Sequence, residues 1–130
     1  MFELNRKKGT ATKLRARFPK VHPRAELDIT FQRTLRIPDD GKDYPLPAGL
    51  GRLPLGYIED CEGELSDDAL NRGGVLMPMY QSEATWIDFN CRYPMAVKIA
   101  AGKINAVTGE SWSNGLHAKP QDYMVAPEQP

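Results

Sequence analysis

Nucleophilic catalysis needs a thiol or hydroxyl beside a base, and this chain of 130 residues offers two cysteines, Cys61 and Cys91, and two histidines, His22 and His117. His22 falls in a basic stretch and His117 in a late loop-like segment, and nothing in their spacing pairs either with a cysteine. Neither cysteine has a Cys or His neighbour at metal-ligand spacing. Both read as reduced, partly buried thiols, with one disulfide between them as the alternative, since spacing alone does not place two Cα atoms. Glu59, Asp60, Glu62 and Glu64 could furnish paired carboxylates for glycoside chemistry, but such clusters are far more often solvated surface. Asp67 and Asp68 lack the D-x-D-x-D-G spacing and terminal Glu that a calcium loop requires. No dinucleotide fingerprint, phosphate-binding loop, nucleophile elbow or HExxH motif occurs, so no catalytic residue, metal or cofactor is expected.

Two groups of residues could bind rather than react. Glu83 and Asp88 sit in an apolar and aromatic stretch with Trp86 and Phe89. An acid buried there needs a cation, which Arg33 or Arg92 can supply as a structural ion pair. The sharper reading is a pocket in which Tyr80, Trp86 and Arg92 hold a ligand. The second group is electrostatic. Residues 1–24 carry Arg6, Lys7, Lys8, Lys13, Arg15, Arg17, Lys20 and Arg24 against Glu3 alone, a net +7, whereas 25–70 carries −7 and the remainder balances. A basic arm beside an acidic middle serves a protein partner, a phosphate backbone or its own acidic surface. Phe2 and Phe18 are the arm's only aromatics, too few for base stacking, so nucleic-acid contact would be limited to phosphate.

The elements that must position these groups read mostly as strands. From Leu27 to Ile37 the odd positions are Leu27, Ile29, Phe31, Leu35 and Ile37, broken only by Arg33, and the even ones are polar: a long half-buried strand, closed by the Pro38-Asp39-Asp40-Gly41 turn. Residues 44–55 hold three prolines and two glycines among spaced leucines, which predicts an extended loop covering a core edge; a polyproline ligand is the weaker alternative. Residues 57–61 suggest a short strand. Ser66 can cap one helix ending at Gly73-Gly74, with Asp67 and Asp68 in the first turn, where the helix dipole favours acids. Strands are then expected over 75–80 and 84–89, a hairpin over 96–108 turning at Gly102, and a last strand over 123–126.

The segments Met77-Pro78-Met79-Tyr80-Gln81-Ser82-Glu83-Ala84-Thr85-Trp86 and Tyr93-Pro94-Met95-Ala96-Val97-Lys98-Ile99-Ala100-Ala101-Gly102-Lys103-Ile104-Asn105-Ala106-Val107-Thr108-Gly109-Glu110 resemble a family of uncharacterised bacterial proteins. Pro120-Gln121-Asp122-Tyr123 and Pro127-Glu128-Gln129-Pro130 extend the likeness, which covers roughly 27–130. The resemblance implies no activity and no site residues. Members of that family continue past the position of Pro130 with further β-type sequence, which implies a longer fold whose last strand here leaves an edge to be paired.

Composition bounds the rest. An apolar fraction of 41% and a charged fraction of 26% suit a globular chain, no run approaches the length of a spanning helix, and the basic N-terminus lacks the apolar stretch of a signal peptide. The expectation is a cytoplasmic, mainly β protein: an antiparallel sandwich or barrel with one short helix, an extended basic arm over 1–24, and a single β-rich domain over 25–130. Its expected function is non-catalytic docking on a protein partner or a second copy, through the arm or an exposed strand edge. The alternatives are a nucleic-acid backbone binder using the arm, and a small enzyme or ligand-binding domain with a pocket near Trp86.

Overall fold

The computed structural model describes residues 1–5, 11–61 and 63–127. The chain is mainly β, with antiparallel pairing and, among the described residues, one α-helix. It divides into two compact units, one of residues 1–17 and 28–88 and the other of 18–27 and 89–130. Residues 1–17 of the segment expected as an extended arm fall in the first unit and residues 18–24 in the second.

Strands β1 (Phe2–Leu4) and β2 (Leu14–Arg17) pair antiparallel, with Leu4 opposite Leu14. With β3 (Glu26–Thr34) and β6 (Ala84–Cys91) they form a sheet in the order β1-β2-β3-β6. The apolar positions of 1–5 and 11–17 find partners: Leu4 and Ala11 join Leu55 in a buried cluster against which Leu14, Phe31, Tyr57, Val75 and Met77 pack. The tyrosine hydroxyl of Tyr57 accepts the Leu4 amide at 2.8 Å, satisfying an edge donor.

β3 ends three residues before the alternation does, leaving Leu35 and Ile37 exposed. Its polar residues are not all outside: Thr30 and Thr34 are buried, and the Thr34 hydroxyl donates to the Ala48 carbonyl at 3.1 Å. The proline-rich segment explains this. It runs beside β3, the Leu53 amide donating to the Phe31 carbonyl at 2.8 Å and the Arg33 amide to the Gly51 carbonyl at 2.8 Å. Loop leucines thereby cover part of the core as expected, but only Leu53 and Leu55 are buried, whereas Leu46 and Leu50 stay exposed.

The segment expected as a strand over 57–61 is strand β4 (Gly56–Tyr57) followed by a 3₁₀ turn at Ile58–Cys61, and β4 pairs with β5 (Val75–Leu76), shorter than the strand expected at 75–80. Helix α1 (Asp67–Arg72) follows the cap expected of it: the Ser66 Oγ accepts the Ala69 amide, and the chain leaves the helix at Gly73 with φ 63°, a left-handed conformation that suits glycine.

In the second unit, β7 (Met95–Val97) pairs with β10 (Met124–Ala126), and β8 (Ala100–Ala101) pairs with β9 (Ile104–Asn105) around Gly102-Lys103. The hairpin therefore lies where the sequence puts it, but is shorter, and Ile104 and Val107 are exposed.

Candidate functional site

Three of the arm's cations, Lys13, Arg15 and Arg17, are engaged by acids of the first unit. Asp28 projects from β3 between Lys13 Nζ at 2.9 Å and Arg15, whose Nε and Nη2 donate to its two oxygens at 2.6 and 2.9 Å. Arg15 before all, and then Lys13, hold the Asp28 carboxyl at about 2, below the ordinary 3.8, against the opposing effect of burial. Arg17 pairs with Glu3 across the β1–β2 pair. Lys20 and Arg24 are exposed, in the turn 18–25 of the second unit. Arg6, Lys7 and Lys8, like Glu62, lie outside the described residues.

The pocket expected from Tyr80, Trp86 and Arg92 is divided: Tyr80 and Trp86 belong to the first unit and Arg92 to the second. Tyr80 is exposed, with the Arg33 guanidinium 6.0 Å from its ring centroid. Arg33 pairs with Glu83, the ion pair that the apolar surroundings of Glu83 demand, and Glu83 also accepts the Tyr80 amide at 3.0 Å. Asp88 is exposed, its Oδ2 3.5 Å from the Thr30 hydroxyl. Trp86 packs over Gly49, where a Cβ would stand 3.4 Å from the indole, and its Nε1 is buried without an acceptor among the described residues.

Two of the concave sites formed by the described residues lie in the second unit. The polar one, about 240 Å³, is lined by Thr108, Glu110, Ser111, Ser113, His117 and Lys119 over a buried base of Asn105 and Asp122. Its base is a lock. Lys98, with only 6% of its side chain exposed, donates to Asp122 Oδ2 at 2.6 Å and to the carbonyls of Ser113 and Gly115 at 2.7 and 2.9 Å, and lies 4.7 Å from the Trp112 ring centroid. Lys98 holds the Asp122 carboxyl far below the usual carboxylate range, opposed by burial and helped by the His117 amide and ring. A carboxylate so held can only accept, so the His117 Nδ1 at 2.7 Å from Asp122 Oδ2 carries the proton and Nε2 is the free ring position. Asn105 completes the lock, donating to the Asp122 carbonyl and accepting the amides of Val107 and Thr108. Residue type alone drew attention to His117, as one of two histidines, and nothing pointed to Lys98 or Asp122, which meet only when the segment after β7 and the loop after β9 fold together.

The second concavity is apolar, also about 240 Å³, and is lined by Phe18, Val21, Ala25, Tyr93, Met95 and Ala96. His22 stacks on Tyr93 with ring centroids 5.0 Å apart, which places this imidazole against an aromatic face rather than a reactive partner. Both cysteines are free; Cys91 is buried and its thiol is pushed up by that burial, which disfavours the thiolate.

Large apolar side chains are exposed at this cleft and beyond it. Val21 at 67%, Leu116 at 55% and Val107 at 49% stand out in the second unit, with Leu46 and Leu35 each at 65% in the first. Strand edges are open as well. β6 ends the sheet order, and among the described residues no backbone bond reaches it from outside the sheet; β7 and β10 form a ribbon of two strands. The described residues contain no cluster of three metal-ligating side chains and no helix long and apolar enough to cross a membrane. Comparison of the chain with protein-family models, with curated proteins and with solved structures finds no match.

Proposed function

We propose that the chain is a non-catalytic interaction module whose apolar surface and strand edges are completed by another polypeptide. One observation carries this reading. Large apolar side chains stand in solvent, Val21 at 67%, Leu116 at 55% and Val107 at 49% in the second unit, and apolar surface of that kind marks contact sites. The apolar surface is preferred over the arm as the contact because three of the arm's cations, Lys13, Arg15 and Arg17, already have partners within the chain.

The test is capture from the native host's extract on the immobilised chain, with nuclease and at moderate salt. A stoichiometric protein is expected that survives both treatments and is lost when Val21 and Leu116 are changed to Asp. Nucleic acid released steeply by salt would instead favour the phosphate-backbone reading. Absence of any stoichiometric companion would contradict the module.

The fixed imidazole of His117, with Nε2 free at a polar cavity, favours a second reading as a small-ligand or enzymatic site. Under it, carbethoxylation of His117 is slowed by a low-molecular-weight fraction of the host extract. An unchanged rate counts against it.

A further inference from the structure

We infer that the apolar cleft of the second unit takes an acidic peptide segment of another protein, with one large apolar side chain seated in the cleft and carboxylates set against the cations beside it. This rests on the interaction-module reading and names the partner's chemistry. The cleft forms where the turn 18–25 lies against the segment 93–96. Two of its lining residues are alanines, Ala25 and Ala96, whose small side chains leave it hollow; Ala25 is buried at 2%, while Phe18 and Val21 stand 43% and 67% exposed. The turn is tied to itself and to the opposite wall. The Phe18 amide donates to the Ala25 carbonyl and the Ala25 amide to the His22 carbonyl, both at 2.9 Å. The His22 ring stacks on Tyr93, and its Nδ1 accepts the Arg24 amide at 3.0 Å. The walls are therefore set before a partner arrives, which lowers the ordering cost of binding.

Size selects what enters. At about 240 Å³ the cleft falls below the roughly 300–1,000 Å³ of sites that enclose a whole small molecule, and it suits the single aromatic or aliphatic anchor with which a polypeptide fills a pocket.

Charge selects what flanks that anchor. Residues 18–27 and 91–97, which carry the cleft, hold Lys20, Arg24 and Arg92 against Glu26. Each cation directly precedes a lining residue, Val21, Ala25 or Tyr93, and each is exposed. None of them makes an ion pair among the described residues, in contrast to Lys13, Arg15 and Arg17, whereas Glu26 is half-buried and is not a free charge. Carboxylates beside the anchor would meet these cations, and lysines or arginines there would be repelled. The seated side chain supplies most of the affinity and the rim charges choose the partner, so the complex survives moderate salt.

The experiment pans a displayed library of random short peptides on the purified full chain, then titrates the most enriched peptide, fluorescently labelled, against variants. The expected consensus is one Phe, Leu, Met or Trp between Asp or Glu residues. Its affinity should fall about tenfold or more in Val21→Asp and in the double variant Arg24→Glu with Arg92→Glu, and stay unchanged in Lys103→Glu, which reverses an exposed cation on the β8–β9 turn. These positions are all exposed, and equal melting temperatures of parent and variants check the fold. Should a variant fail to fold, the Met95 methyl resonance of the parent decides: a shift on adding the peptide supports the cleft, and an unmoved resonance overturns it. A library that enriches nothing overturns the inference, as do enriched peptides without acids and undiminished binding to the charge-reversed variant. So does a parent that engages phosphatidylserine vesicles, or a second copy of itself, through the cleft while enriching no peptide. An acid-free consensus from a chain that still captures a stoichiometric protein from extract removes the acidic partner and leaves the module reading standing.

Discussion

At the residue scale, charge placement governs more than any reactive group. Asp28 is the clearest case, because a carboxylate on β3 holds two arm cations and so helps fix β2 in the sheet. Its depressed pKa means that the unfolded chain binds the proton more readily than the folded one. The stabilisation is therefore complete above the unfolded value near 3.8 and is lost as pH falls toward about 2. Asp28→Asn is expected to cost about 1 kcal/mol at neutral pH after allowance for solvent screening, with parent and variant converging in acid, as urea unfolding at a series of pH values would register. Asp122 obeys the same sign, its stabilisation fading only below the usual carboxylate range. Lys98→Met leaves that carboxylate buried without its cation, and is expected to lower the melting temperature far more than loss of the exposed Asp68–Arg72 pair by Arg72→Ala. Differential scanning fluorimetry of the two variants side by side checks this. That an acid among these aromatics would need an arginine was legible in the sequence, but the choice of Glu83 with Arg33 over Asp88 and Arg92 was not. The Lys98–Asp122 pair was not, since it joins positions far apart whose neighbours give no hint of burial.

At the element scale, what the pattern shows best is what is local. The period-two run that became β3, the Ser66 cap of α1 and the Gly102 turn depend on near neighbours, and each lies where local rules put it. Strand length and partner depend on distant segments. The alternation through Ile37 continues after the sheet has run out, because the pairing with residues 50–53 ends near Arg33. The leucine-rich, proline-rich loop lacks any strand periodicity, yet Leu53 is wholly buried at 0% exposure and its amide is bonded to β3. Leu53→Ala should accordingly destabilise the first unit by about 3 kcal/mol, whereas Leu46→Ala, on the exposed part of the same loop, should change stability by less than about 0.5 kcal/mol. Chemical denaturation followed by Trp86 fluorescence separates the two.

At the scale of the whole molecule, the balance between buried and exposed apolar surface is what sets the functional reading. Composition is that of an ordinary globular chain, and nothing in it foretold that so few large side chains would be buried, since the count of apolar residues does not say where they go. The charge asymmetry drew attention to the first 24 residues as the contact surface. Folding instead uses Lys13, Arg15 and Arg17 against Asp28 and Glu3, while large apolar groups stay exposed, and under the proposed reading binding is expected to resist salt rather than yield to it.

The most direct test of that account is the sedimentation of the tagged chain in native-host extract, before and after nuclease and across a rise in salt. The account predicts a particle heavier than one chain that neither treatment dissolves. A lone 14.6 kDa species in untreated extract would contradict it.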